Sequence, residues 1–131
     1  MTRNKNMDFE QLDVYKLAET LSDGIWKLVI EWEYFAKDTL GKQMVRSVDS
    51  IAANIAEGTG RGSYQDNKRF IRMARASLYE TRHWLRQAYK RKLISEQAAL
   101  GIKPIIDELA PRLNAYLNSI GKTKKQMTND Q

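Results

Sequence analysis

Apolar side chains recur at three- and four-residue steps through four separate blocks of this chain, which is the period of an amphipathic helix and not of a strand. In the first block the seam is Val14, Ala18, Leu21, Ile25, Leu28 and Trp32. Gly24 interrupts it at a cost of about 1 kcal/mol against alanine. Either its neighbours outweigh that cost or another helix passes close there. Glu33 to Asp38 reads as a connection. The second block sets Leu40, Met44, Val48, Ile51 and Ile55 on one face, with Val45 and Ala52 beside them. It is expected to stop at Gly58, the first of the three glycines in 58–62. Ser63 is a good N-cap for the third block, with Asp66 as a weak capping box. This helix runs to about Lys92, roughly 42 Å at 1.5 Å per residue. Its expected seam is Phe70, Ala74, Ser77, Thr81, Trp84 and Ala88, flanked by Leu78 and Leu85. Ser95 and Glu96 open the fourth block, whose seam is Ala98, Ile102, Ile105, Leu109, Leu113, Tyr116 and Ile120. Pro104 and Pro111 lie inside it and predict a kink or a break.

Long helices with short connections favour antiparallel neighbours, so the expected fold is all-α, an up-down-up-down four-helix bundle. At 131 residues the chain should hold one domain. The bundle is placed at 9–120, between a flexible N-terminus at 1–8 and a polar, disordered tail at 121–131. Without cysteine there is no disulfide framework and no thiolate metal or redox site. No apolar run approaches the roughly 18 residues of a membrane span, and no apolar N-terminal stretch resembles a signal peptide. A cytoplasmic protein with no membrane contact is the expectation.

Charge is distributed unevenly. The net charge is +6, and the segment from Ser63 to Lys92 holds nine lysines and arginines against only Asp66 and Glu80. The remaining residues hold thirteen against fourteen acids. On a helical wheel with Phe70 at zero, the seam residues fall within about 40° of zero. Lys68, Arg72, Arg75, Arg82, Arg86 and Lys90 fall between about 120° and 200°, with Tyr79 among them. These cations form a ridge expected to oppose the core face. An ordinary solvent face mixes signs, because like charges at i,i+4 repel by a few tenths of a kcal/mol. A ridge of one sign points to an anionic partner, and its arginines suit bidentate phosphate contact. Tyr79 adds a surface on which a base can stack.

Ser47, Ser50, Asn54 and Glu57 form a narrow polar line beside the seam of the second helix and lead into Gly58. Small residues surround the line, so a neighbouring helix can approach closely. Buried polar groups need hydrogen-bond partners, so Asn54 and Glu57 are expected to bridge to neighbouring helices or to the 58–62 backbone. Catalysis finds little support. Glu80 and His83 make one Glu-x-x-His unit, whereas a di-iron bundle needs two such units and further glutamates. No nucleophile has a partner base. No catalytic residue, metal site or cofactor is expected.

The segment Ser50-Ile-Ala-Ala-Asn-Ile-Ala-Glu-Gly58, with Gln43, Arg46, Ser47, Gly60, Arg61 and Ser63, strongly resembles the four-helix-bundle proteins encoded by bacterial 23S rRNA intervening sequences. Phe70, Ala74, Ser77, Leu78 and Glu80 continue the match, as do Phe9, Leu12 and Tyr15. It covers about residues 8–120. Asp49, Pro104 and Pro111 depart from the pattern. The resemblance implies an antiparallel four-helix bundle assembling as a ring-like homopentamer, with a nucleic-acid role. It also implies a relation to the accessory proteins of diversity-generating retroelements, basic pentamers that bind nucleic acid and a reverse transcriptase.

The expected function is therefore non-enzymatic, largely sequence-nonspecific binding of RNA or DNA. Arg72, Arg75, Arg82 and Arg86 are the leading phosphate contacts, with Lys68, Lys90 and Arg61 next. An accessory role to a reverse transcriptase fits the same surface. The alternative is a structural or adaptor homo-oligomer whose ridge pairs with a protein partner, or with acids of a neighbouring subunit such as Glu31, Glu33, Asp107 or Glu108.

Overall fold

A 3-10 turn at Phe9–Gln11 leads into α1 (Asp13–Val29). A single helical turn at Tyr34–Ala36 and a π-helical segment at Lys37–Gly41 then run straight into α2 (Lys42–Thr59). Two further long helices follow, α3 (Tyr64–Lys90) and α4 (Glu96–Ser119). The structure is a computed structural model that describes residues 8–122. Residues 1–7 and 123–131, which carry most of the expected flexible N-terminus and polar tail, lie outside the described residues. Each helix packs on the next and α4 returns to α1, while diagonal partners barely touch. This is the expected four-helix bundle, and its most extensive contact is α2 on α3.

The sequence sets the ends of α3 and α4 by local chemistry. Ser63 Oγ accepts from the Asp66 amide (3.1 Å) and Ser95 Oγ from the Ala98 amide (3.0 Å), so both expected caps form. At the other end of α3, Lys92 adopts φ 62°. The Leu93 amide donates to the Ala88 carbonyl (2.9 Å) and the Lys92 amide to Tyr89 (3.0 Å). This is a Schellman stop built on lysine where glycine is usual, and it ends the helix at Lys90 instead of Lys92.

The core follows the four seams with shifts that have physical causes. α1 ends at Val29, so Trp32 lies beyond it. Val29 is buried in its place against Gly41, where a Cβ would stand 2.7 Å from Val29 Cγ1. The connection is correspondingly shorter than expected, and the second helical stretch begins at Tyr34. In α3 the fully buried residues include Ile71 and Leu78, while Ser77 and Trp84 are half-buried. A bundle helix covers a stripe wider than a strict two-position seam, because it touches two neighbours. For the same reason Ile106 and Leu117 replace Ile105 and Tyr116 in α4.

Two further expectations are corrected. Pro104 and Pro111 do not break α4, which is one helix. Both prolines are exposed, as are Leu100 and Asp107 four residues before them, so the carbonyls they free turn toward water. Gly58 does not stop α2, which runs on to Thr59 and is capped at Gly60 with right-handed geometry. Gly58 is buried where α3 crosses, and a Cβ there would meet Asn67 Oδ1 at 2.5 Å and Phe70 Cβ at 3.0 Å. Gly24 likewise serves a close approach, with Ile102 Cδ1 of α4 at 3.1 Å from the position of a Cβ.

Candidate nucleic-acid interface

Ile71 and Leu78 widen the buried arc of α3 to about 0–100° on the wheel, so the basic ridge at about 120–200° borders the core instead of opposing it. That border faces α4. Arg75 is half-buried and donates to Asn114 Oδ1 on α4 at 3.0 Å. Arg82 and Arg86 are exposed and form one wall of a groove between the two helices. Its floor is apolar, made by Leu85, Ile94, Ala99, Ile102 and Ile106. Tyr89 stands at one side, and Lys103 and Asp107 of α4 close the other. The groove encloses about 370 Å³. Tyr79 and Arg72 lie on the exposed flank, where the Arg82 guanidinium carbon sits 5.9 Å from the Tyr79 ring centre.

Three acids beside the ridge, Glu80, Asp66 and Asp107, are already engaged elsewhere. Glu80 Oε2 accepts from Arg46 (3.0 Å) and from Trp84 Nε1 (3.0 Å), drawing it toward α2. Asp66 pairs with Arg69 (3.2 Å) and Asp107 with Lys103 (2.6 Å). Among the described residues, Lys68, Arg72, Arg82, Arg86 and Lys90 form no ion pair. The exposed ones are free to meet an external anion. Arg61 is placed differently, at the α2–α3 corner. It pairs with Glu57 (2.9 Å) and lies over the Phe70 ring, which Arg69 also covers, each at 4.6 Å. It does not join the groove.

The polar line of α2 is a structural seam. Thr81 Oγ1 of α3 lies 3.0 Å from buried Ser47 Oγ and 2.8 Å from its own Ser77 carbonyl, while Ser47 donates to the Met44 carbonyl (3.1 Å). Ser50 Oγ accepts from Ser77 (2.9 Å) and from Asn54 Nδ2 (2.9 Å). Asn54 therefore stays on its own helix and Ser50 makes the crossing. Glu57 is exposed and reaches only Arg61, not a neighbouring helix. Gln43 accepts from Arg46 (2.7 Å) within α2, and Arg46, Ser47 and Ser50 of the recognisable motif lock α2 to α3. His83 packs edge-on against Trp84 at 4.7 Å, and Glu80 is turned away toward Arg46. Among the described residues no group of three or more His, Cys, Asp or Glu is placed to hold a metal. No helix of the described residues is long and apolar enough to cross a membrane.

Neither Tyr89 nor Lys103 is among the nucleic-acid contacts expected from the sequence. Tyr89 could have been found, since its wheel position lies beside the shifted core arc. Lys103 comes from another helix and carried no signal of its own.

The family model for the 23S rRNA-intervening sequence protein matches residues 10–115. The chain belongs to this family of four-helix, all-α proteins. No curated protein matches the chain.

Proposed function

We propose that this chain is a non-catalytic, oligomeric nucleic-acid-binding protein whose α3–α4 flank contacts phosphates. The observation that carries this reading is the row of unpaired Arg72, Arg82, Arg86 and Lys90 beside an apolar groove, with Glu80, Asp66 and Asp107 already paired elsewhere. Contacts to phosphate position a nucleic acid without reading its sequence, so specificity for base order is weak. The assembly is a homopentameric ring acting in the cytoplasm. Exposed Trp26, Ile30 and Tyr34 at the α1–α2 edge, with Tyr34 78% exposed, supply an apolar surface for subunit contact. Beside a reverse transcriptase such a ring would present template or product along its basic flank.

Binding to labelled RNA and DNA across a salt series tests this. Each neutralised phosphate contributes about −0.9 to the log–log slope on duplex DNA. Replacing Arg75 and Arg82 together by glutamate abolishes binding while helicity and assembly persist. Unchanged affinity in that variant overturns the reading.

One observation favours a second reading, a structural ring. Asp107 and Glu108 are taken by Lys103 and Arg112, so they are poor partners for a neighbour's ridge. Asp23 and Asp49, on the α1–α2 side, form no ion pair among the described residues and line a groove with Glu19. A neighbour's α3 could dock there head to tail. In that case the same Arg75 and Arg82 reversal dissociates the oligomer, which sedimentation velocity reads directly.

A further inference from the structure

Phosphate contact explains the cations of the α3–α4 groove but not its floor. A duplex turns phosphates outward and keeps the faces of its bases stacked within. An apolar floor of Leu85, Ile102 and Ile106 gains nothing from such a partner. An unpaired nucleotide offers both parts at once, an anionic backbone and a flat apolar face. The groove's volume, about 370 Å³, lies within the range of sites that hold small ligands. Tyr89, 47% exposed at its edge, presents an aromatic ring where such a face would lie. Arg82 and Arg86 stand one helical turn apart, about 6 Å along the axis, a spacing that suits successive phosphates of an extended strand.

Resting on the nucleic-acid reading above, we infer that the partner is single-stranded, with an unpaired base seated in the α3–α4 groove against Tyr89 and its flanking phosphates held by Arg82 and Arg86. Charge complementarity selects this occupant over an apolar peptide, because the one acid on the rim, Asp107, is already bound by Lys103 at 2.6 Å. Stacking tolerates any base, so the site discriminates by strandedness and not by sequence.

The test uses the full-length protein and three fluorescein-labelled probes of equal length: oligo(dT), an abasic strand and a blunt duplex. At matched salt, oligo(dT) binds more tightly than the other two. Tyr89→Ala removes that advantage by roughly 5- to 150-fold, the range a base–aromatic stack carries. It leaves duplex affinity and the salt slope unchanged. Ala99→Trp, which fills the floor without removing a charge, produces the same selective loss. Equal binding of oligo(dT) and the abasic strand, indifferent to both variants, overturns the inference and leaves the phosphate reading standing. If no probe binds at low salt, the phosphate reading itself fails and takes this inference with it.

Discussion

Two grooves of nearly equal size lie on opposite sides of the bundle, about 350 Å³ between α1 and α2 and about 370 Å³ between α3 and α4, and they differ in sign. The first is lined by Glu19, Asp23 and Asp49 over Ala52, Ala53 and Ala56. The second is lined by Arg82, Arg86 and Lys103 over an apolar floor. Tyr15 responds to its setting: partial burial first, then the Glu19 carboxylate that accepts its hydroxyl (3.3 Å), raise its phenol above the ordinary value. Antiparallel packing makes a groove at each helix pair, but side-chain chemistry decides what each can hold. The α2–α3 seam joins the helix that carries Asp49 to the helix that carries Arg82 and Arg86.

The comparison breaks most sharply if the second groove is given the sign of the first. Arg82→Glu with Arg86→Glu should weaken single-strand binding at low salt by more than about 100-fold and reduce the salt slope by about 1.4, two contacts at about 0.7 each. Fluorescence anisotropy across a salt series measures both. Disturbing the seam should act on stability. Gly58→Ala places a Cβ against Asn67 Oδ1 and Phe70 Cβ, and overpacking of that kind lowers stability by about 1–3 kcal/mol, visible as a lower urea midpoint. Survival of the midpoint would mean that α3 can shift along α2 freely. Thr81→Val removes the hydroxyl that meets Ser47 and should lower stability by about 1 kcal/mol in the same assay. The smallest effect separates charge from conformation. Lys92→Gly removes a cation beyond the end of α3 and relieves a left-handed backbone, so stability rises by up to about 1 kcal/mol while nucleic-acid affinity falls slightly.

Much of the fold was legible because its signals are local. Ser63 and Ser95 cap the helices as their side chains predict, and every block with helical spacing became a helix. The misread features depend on partners distant in sequence. Gly58 looked like a stop because glycine serves both stops and close crossings, and only Asn67 and Phe70 distinguish the two. The stop at Lys92 carries no glycine to announce it. The prolines of α4 were tolerated because they face water, a property of the assembled bundle. The basic ridge was visible because its charges lie on one helix. Its orientation differs because the core arc of α3 is centred away from Phe70 and Ala88, taking in Ile71 and making Leu78 a centre of the core instead of a flank. The groove could not be read at all, since α4 supplies half of it.

The π-helical segment at Lys37–Gly41 sets the rotational phase between the Tyr34–Ala36 turn and α2. Such a segment behaves as an inserted residue within an α-helix. Deleting one position from it would rotate the preceding turn by about 100° about the helix axis. Tyr34 and Phe35, at 78% and 79% exposed, would then point in new directions from an otherwise identical bundle. Changes in length at this one place could therefore re-aim an aromatic pair without rewriting the helices that carry it.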